Sequence, residues 1–142
     1  MRFKQIRLPK GYHFKITRNA GCKGECCHEY LSHRIELMDG NVWVGRIDLH
    51  LKSPNAQGIK WFETHSNLGD IYRNRKLGAL LYAKAAQWCL RQGYRVSSST
   101  SPSPDAQRVW NGKTIRKYVR IIRRPSCLGT TQYHCYCKHV QP

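Results

Sequence analysis

The stretch "IYRNRKLGALLYAKAAQWCLRQG", Ile71 to Gly93, predicts a helix that begins directly after a cluster of cations. Apolar residues recur in it at the spacing of one helix face: Leu77, Leu80, Leu81, Ala85, Trp88 and Cys89. Gly93 suits the position just past the helix end. Because the macrodipole makes a helix N-terminus electropositive, Arg73, Arg75 and Lys76 are mildly unfavourable there. They indicate a negative partner, which is either a bound anion or solvent with neighbouring carboxylates.

Strand-like segments lie on both sides of this helix. Their alternating apolar residues predict four strands before it and one after it: Tyr12–Arg18, the two arms around the "MDGN" turn, Ile59–Leu68 and Tyr94–Thr100. Asp39-Gly40 favours the positive φ angles of a tight hairpin turn, and Gly45 is typical of a bulge. The order strand, helix, strand around the quoted stretch predicts a crossover connection.

The C-terminal third predicts a second helix and closing strands. Ser103 is a good N-cap, and Pro104 stands at the favoured first helical position. Residues 114–125, "TIRKYVRIIRRP", fit either a helix face or a strand, whereas residues 130–140, "TTQYHCYCKHV", alternate as a strand. We therefore predict a single domain over residues 1–142 of the α/β (α+β) class. It has a central mixed, mostly antiparallel sheet with a β-meander, a crossover helix after the fourth strand and a second helix after the fifth.

The charge of the chain is strongly positive. Lys and Arg number 25 against 8 Asp and Glu, a formal net charge of +17. No acid interrupts the cations of one C-terminal segment: Lys113, Arg116, Lys117, Arg120, Arg123 and Arg124. If this segment is helical, its cations lie on one side and its aliphatics on the other. The charge predicts a polyanionic macromolecular partner, nucleic acid or an acidic protein. A solvated surface without a partner is the alternative.

Seven cysteines and the N-terminus bear on the compartment. The number of cysteines is odd and no apolar export segment precedes the domain, so we expect free thiols in a reducing cytoplasm. Cys89 is expected to pack as a small apolar residue in the helix. The groups "CKGECCH" and "CLGTTQYHCYCKH" also have a zinc-like composition, although their spacing matches no standard finger. No apolar run is long enough to span a membrane.

The segment "YRNRKLGALLY" resembles the phosphate-binding loop of the GNAT acyltransferase superfamily. There, Arg/Gln-x-x-Gly-x-Gly/Ala ends the third meander strand and opens a helix; here Arg73 and Gly78 match, and Lys76 replaces the middle glycine. The resemblance covers roughly Arg34 to Tyr118 and implies the GNAT fold, with acetyl-CoA (coenzyme A) as cofactor. Backbone N–H groups at such a helix start form a concave site for a pyrophosphate. The implied cofactor-binding residues are Leu68, Tyr72, Arg73, Asn74, Arg75, Lys76, Leu77, Gly78, Ala79 and Ser103.

The resemblance also implies an acid and a base. Family members often carry Asn-x-x-Ala-x-x-x-Tyr in the second helix, where the tyrosine protonates the departing thiolate. Here the pattern begins at Ser103 and has Trp110 at the tyrosine position. Tryptophan has no ionisable hydroxyl, so Tyr118, Tyr94 or Ser103 would have to act instead, while Trp110 itself is expected to be a core residue.

The base of the family is frequently a glutamate on the third meander strand. Glu63 lies there in "WFETH", and His65, two residues on, is the alternative base on the same side of the strand. The other interpretation of Glu63 is that it pairs with one of the many cations on a solvated face. Glu63, His65 and Tyr118 are thus the implied catalytic residues.

Three functions follow from these observations. The first is an acyl-CoA-dependent N-acyltransferase acting on an amine of a nucleic-acid-associated or acidic macromolecular substrate. The second is a catalytically inactive GNAT-fold basic protein that binds nucleic acid or blocks a partner protein, which would suit a bacteriophage-type accessory protein. The third is a small zinc-binding nucleic-acid protein.

Overall fold

The computed structural model describes residues 3–18, 32–52, 58–68 and 76–138, and within them it forms one seven-stranded sheet and three helices. The strands are β1 (Tyr12–Thr17), β2 (Ser32–Asp39), β3 (Val42–Leu51), β4 (Trp61–Leu68), β5 (Arg95–Ser98), β6 (Val119–Pro125) and β7 (Thr131–Cys137). The helices are α1 (Leu77–Arg91), α2 (Pro104–Asn111) and α3 (Lys113–Arg116). The predicted mixed α/β class with a mostly antiparallel sheet is confirmed.

The sheet has the strand order β1-β2-β3-β4-β5-β7-β6. Strands β1 to β4 form an antiparallel meander, and β5, β7 and β6 pair antiparallel at the other end. Only the pair of β4 and β5 is parallel among the described strands. Because a parallel pair needs a crossover connection, the amphipathic stretch between these two strands becomes α1. The predicted strand–helix–strand crossover is therefore present.

Local sequence accounts for the turns and helix ends. Gly40 has φ 57° in the turn between β2 and β3, as the Asp39-Gly40 pair predicts. The register of β2 and β3 shifts between Leu37 and Met38, opposite Gly45, which confirms the predicted bulge. Gly93 ends α1 with φ 80°.

The segment 114–125 adopts both of its predicted alternatives. Its first residues complete the one-turn helix α3, and the chain then extends as β6 from Val119. The β-branched Val119 and Ile121 pair with Cys137 and Cys135 of β7, which favours the strand. The continuous helical face of cations considered for residues 113–124 is therefore absent, and the arginines of β6 are distributed over both sides of a strand.

All three helices pack on one side of the sheet, which we call the helix face. Its core includes Ile35, Leu37, Ile47, Leu49 and Phe62 from the sheet and Leu77, Leu81, Ala85 and Cys89 from α1. α2 joins them because its Trp110 contacts Tyr82 of α1 and stacks on Tyr133 of β7. Each large apolar side chain buried here contributes about 1.5–3 kcal/mol to stability.

The opposite side, which we call the open face, carries polar side chains. Strand alternation places these residues on it: Arg46, Asp48 and His50 of β3, Trp61, Glu63 and His65 of β4, Ser97 of β5, and Gln132 and His134 of β7. None of the described helices packs against this side. The two sides of one sheet therefore have different chemistry.

Candidate functional site

A cleft of about 790 Å³ lies on the helix face, between the first turns of α1 and α2 and the end of β4. Its lining includes Lys76, Gly78 and Tyr82 from α1 with its N-cap, Ser103 at the start of α2, and Ser66 of β4. Two helix N-termini thus border the same space. Helix N-termini carry unpaired N–H groups and positive dipole ends, so such a space favours an anion.

Lys76 has an unusual backbone conformation at the mouth of α1. Its φ of 58° and ψ of 6° are left-handed, and it is the sole non-glycine residue with positive φ in the described ranges. The N-cap position makes no side-chain hydrogen bond, and the first turn of α1 holds no acid. A lysine in this conformation costs roughly 1–2 kcal/mol relative to glycine. The Lys76 side chain therefore provides no cap for the first N–H groups of α1, and Lys76 adds a cation to this end of the helix.

The structure brings four of the predicted cofactor-binding residues together and places others elsewhere. Lys76, Gly78, Ala79 and Ser103 all line the cleft. Leu77 is buried in the core under α1, and Leu68 is the last residue of β4. The remaining predictions, Tyr72, Arg73, Asn74 and Arg75, fall outside the described residues.

The second helix start is capped, unlike the first. The Ser103 hydroxyl accepts a hydrogen bond from the N–H of Ala106 at 3.2 Å, and Pro104 follows it, as predicted. Asp105 in the first turn of α2 forms an ion pair with Arg108, and both residues line the cleft. The charge of Asp105 is thus compensated locally. The first turn of α1 holds no acid, so of the two helix starts it is the more favourable for an anion.

Tyr82 places a hydroxyl in the cleft that the sequence did not single out. Its ring is 5% exposed, and its hydroxyl shares a hydrogen bond with the Ser66 hydroxyl of β4. Burial raises the pKa of Tyr82, and the hydrogen bond with Ser66 partly opposes that rise. Tyr82 follows Gly78 by four residues, so both lie on one side of α1. This spacing of four residues from Gly78 is the feature of the sequence that could have identified Tyr82 as a residue of the cleft.

Trp110 is a core residue, as predicted. It is 1% exposed, and its ring meets that of Tyr82 edge-on at 4.8 Å. The position at which the resemblance expects an acid tyrosine therefore holds an apolar ring. The phenol ring in edge contact with Trp110 is that of Tyr82, which belongs to α1.

Tyr118 does not lie in the cleft. Its ring faces the ammonium of Lys4 at 5.8 Å, and its carbonyl accepts a hydrogen bond from Gln87 Nε2 at 3.4 Å. The cleft lining does not include it. Tyr94 packs in an aromatic cluster with Phe62 and Trp88. Of the substitutes for the missing tyrosine, only Ser103 borders the cleft.

Glu63 lies on the open face and is 4% exposed. The Gln132 amide donates to its Oε2 at 3.0 Å, and Lys52 Nζ lies 3.7 Å from Oε1. The same amide nitrogen lies within hydrogen-bond distance of Ser97 Oγ at 3.1 Å and Ser98 O at 2.9 Å. Glu63 therefore pairs with a cation, which was one of the two interpretations from the sequence. It does so in a buried network rather than on a solvated face. The network positions its carboxylate rigidly.

His65 is two residues along the same strand and faces the same side. Its ring stacks on His50 with 4.3 Å between centroids. Burial lowers the pKa of His65, and the neighbouring His50 lowers it further, although Glu63 and Asp48 oppose the change. The imidazole is therefore neutral at neutral pH and can accept a proton.

The end of the β4–β5 ladder lies between the cleft and these two residues. Described pairing runs from Trp61 with Arg95 to Thr64 with Ser98, and β4 then continues to Leu68. Just past the last pair, Ser66 faces the helix side and His65 the open side. A group held in the cleft and a group held on the open face can therefore approach each other at this point. Glu63 and His65 do not line the cleft itself.

The thiols and histidines give no metal site within the described ranges, where no group of three or more His, Cys, Asp or Glu is arranged to hold a metal ion. Cys89 and Cys135 are buried, and burial raises the pKa of both thiols, so they are unreactive. Cys22, Cys26, Cys27 and His28, which the zinc interpretation also uses, are outside the described residues. Among the helices that the structure describes, none is long and apolar enough to cross a membrane.

Comparison of the chain with protein families and with curated proteins finds no match. The geometry of the site is therefore the basis for assigning a function. It combines a cleft bordered by two helix N-termini on the helix face, the buried phenol of Tyr82 within that cleft, and two proton-accepting side chains, Glu63 and His65, on the open face.

Proposed function

We propose that the protein is an acyl-CoA-dependent N-acyltransferase with a GNAT-like fold. The acyl-CoA, with acetyl-CoA as the simplest donor, would bind in the cleft. The acceptor would be an amine of a nucleic-acid-associated or acidic macromolecule, presented on the open face in the cytoplasm. The observation that carries the proposal is the left-handed Lys76 at the mouth of α1.

Lys76 supports the proposal because of where it occurs. It occupies the position that the GNAT loop pattern gives to glycine, and it keeps a backbone conformation that favours glycine. A left-handed lysine costs stability. A ligand bound to the backbone N–H groups at the start of α1 would offset that cost. The added ammonium gives a charge-assisted contact to a phosphate.

The cleft also suits the chemical nature of the donor. Coenzyme A carries a pyrophosphate, and an uncapped helix start with an adjacent cation is a favourable partner for it. Between Lys76 and Tyr82 the cleft is lined by Gly78, Ala79 and Leu81, and the small Gly78 and Ala79 leave room for a chain along α1. When bound, acyl-CoA supplies an activated acyl group as a thioester.

Transfer requires a base and a proton donor on either side of that thioester. The amine nitrogen bonds to the acyl carbon, the carbon–sulfur bond breaks, and the electron pair leaves on sulfur. Glu63 or the neutral His65 would accept the amine proton on the open face. Tyr82 would donate a proton to the departing thiolate, because burial keeps its phenol protonated. This assigns to α1 the role that the second helix has in the family.

Titration calorimetry with acetyl-CoA tests the proposal directly. We expect saturable binding in the micromolar range, weakened about tenfold in Lys76→Glu because the phosphate contact becomes repulsive. Lys117→Glu makes the same change of charge outside the cleft and is the matched control, with affinity close to that of the parent protein. Absence of binding at high micromolar acetyl-CoA would contradict the proposal.

The roles of the two faces can be separated by kinetics. With a short lysine-containing peptide as acceptor, Glu63→Gln is expected to lower thiol release by about 100-fold, and Tyr82→Phe by a similar factor. Neither change should alter acetyl-CoA affinity more than about twofold, because neither residue contacts the phosphates. Equal rates in Tyr82→Phe and the parent protein would remove Tyr82 from the mechanism.

The catalytically inactive alternative also has a specific observation in its favour. Trp110 is buried where GNAT enzymes often carry their acid. In that case the fold would serve as a basic binding protein, for nucleic acid or for blocking a partner. Acetyl-CoA binding without any thiol release across a panel of amines would support this alternative.

A further inference from the structure

A row of alternating cations and aromatic rings crosses the open face, and we call it the cation–aromatic row. It consists of Arg120 on β6, Tyr136 on β7, Arg95 on β5, Trp61 on β4 and Lys52 directly after β3. Arg120 pairs with Tyr136, and Trp61 pairs with Arg95. Since Val96 pairs with Cys135, Arg95 and Tyr136 are neighbours across β5 and β7. Lys52 N donates to Trp61 O at 2.7 Å.

Four side chains of the row form two cation–ring pairs. The guanidinium carbon of Arg120 lies 5.4 Å from the centroid of the Tyr136 ring, and that of Arg95 lies 5.8 Å from the centroid of the Trp61 ring. Both arginines are exposed, and both rings are half-buried. Trp61 is further fixed by its Nε1 hydrogen bond to Ser97 Oγ at 2.8 Å. The row therefore presents flat, positively charged surfaces on a rigid support.

Apart from Lys52, the cations of the row are not balanced by acids of the described residues. No ion pair within the described ranges includes Arg95, Arg120 or Arg124. The acids of β3 and β4 on this face are already engaged, since Asp48 pairs with Arg34 and Arg46, and Glu63 with Lys52. A polyanion would meet cations here with little competition from carboxylates.

We propose that the open face binds single-stranded nucleic acid along the cation–aromatic row. Exposed arginines contact the phosphates, and unpaired bases stack on the guanidinium groups and on the rings beside them. A duplex hides its base faces, and the sheet presents no helix to a groove. An acidic protein needs the cations alone and makes no use of rings at alternate positions. The combination of rings and cations thus favours a single strand.

This inference deepens the proposed function, because Glu63 and His65 lie on the same face beside the row. Only the placing of an acceptor amine there rests on the proposed function. The binding itself requires no acyl-CoA, so the two proposals can fail separately.

Fluorescence anisotropy with labelled oligothymidine and oligouridine of about 16 nucleotides provides the test. We expect saturable binding at about 0.1 M salt, with log K falling linearly against log salt by about 0.7 per phosphate neutralised. Arg120→Ala and Tyr136→Ala are each expected to weaken binding about tenfold. A preference between the two oligomers identifies whether the sugar 2′-hydroxyl is contacted.

Arg123→Ala is the matched control. Arg123 lies on the same strand and carries the same charge, but it pairs with Tyr133 and so faces the helix side. We expect its effect to stay within about twofold. Circular dichroism of each variant establishes that the fold is retained, and Arg95→Ala provides an independent substitution in the row if Tyr136→Ala does not fold.

Several results would overturn the inference. These are equal affinity for a duplex of the same length, equal affinity for polyglutamate with no effect of Tyr136→Ala, and absence of binding at 0.1 M salt. If the protein binds acetyl-CoA but not oligonucleotides, this inference is wrong and the proposed function is unaffected. If it binds oligonucleotides but not acetyl-CoA, the proposed function is wrong and the single-strand surface is unaffected.

Discussion

The two faces of the sheet use the same strands for different purposes. On the helix face, alternate residues such as Ile47 and Phe62 are apolar and pack under α1, and their contacts hold the fold together. On the open face, the intervening residues Asp48 and Glu63 are charged and engage in ion pairs and hydrogen bonds. A period-two pattern can thus encode packing and chemistry side by side. The comparison predicts that substitutions on the helix face cost stability, whereas those on the open face chiefly alter function.

Two tryptophans test this contrast most strongly. Trp110→Ala on the helix face is expected to destabilise the protein by about 3–5 kcal/mol, because it empties a fully buried site against Tyr82 and Tyr133. Trp61→Ala on the open face should cost about 1–2 kcal/mol, for a half-buried ring and one hydrogen bond. Urea unfolding measures both. Equal losses would show that the two faces contribute alike to stability.

The buried network around Glu63 is the place where the open face should affect stability. Gln132→Ala leaves the carboxylate and Ser97 without the Gln132 amide as a hydrogen-bond partner, and we expect a loss of about 1–3 kcal/mol in the free energy of unfolding. Gln107 is a matched control, since its amide donates to the Pro102 carbonyl on the exposed side of α2. Its replacement by Ala should stay within about 0.5 kcal/mol. Indistinguishable unfolding curves for the two variants would contradict the expected role of the network.

Histidines on both faces should make stability depend on pH. Burial lowers the pKa of His33 on the helix face and of His65 and His134 on the open face, with nearby cations adding to the effect. The unfolded chain therefore binds more protons than the folded chain below about pH 6.5. The contribution of these histidines to the free energy of unfolding is fully present above that pH, and it is lost as the pH falls towards their lowered pKa values.

Denaturation midpoints measured between about pH 8 and about pH 5 would show this fall. His33→Gln should reduce the slope of stability against pH by removing one buried imidazole. A slope of the opposite sign would mean that these histidines are stabilised in their charged form.

Lys76 is expected to show the smallest effect, and one of opposite sign. Lys76→Gly should stabilise the protein by about 0.5–1 kcal/mol, because it relieves the left-handed backbone, while the greater entropy of the unfolded glycine offsets part of the gain. Lys117, with φ −68°, is the control, and glycine there should cost about 0.5–1 kcal/mol. If both variants are destabilised, the strain at Lys76 is not relieved by glycine.

Local patterns were sufficient to predict most of the elements. The spacing of apolar residues and Gly93 defined α1, Asp39-Gly40 defined the hairpin, and Ser103 with Pro104 defined the start of α2. Each of these depends on interactions between residues close in sequence. The segment 114–125 could not be resolved in advance, because its β-branched residues and its helical spacing are compatible with both states until β7 provides a partner.

The site was less accessible from the sequence, because long-range register decides it. Glu63 meets Gln132 only when β4, β5 and β7 are aligned, and Tyr82 meets Ser66 only when α1 lies on the sheet. The left-handed conformation of Lys76 has no local indication, since lysine does not favour it. The resemblance at this loop drew attention to Lys76 without predicting its backbone geometry.

The last strand of the sheet has a consequence for how the protein behaves at high concentration. β6 forms one end of the strand order, and a bare strand at that position offers its peptide groups to a second chain. Exposed Arg120, Arg123 and Arg124 repel a like-charged copy, and Pro125 lacks the N–H that would continue the pairing. Positive charge at this edge thus opposes pairing of one copy of the chain with another. Neutralising the three arginines would therefore favour fibrous aggregates.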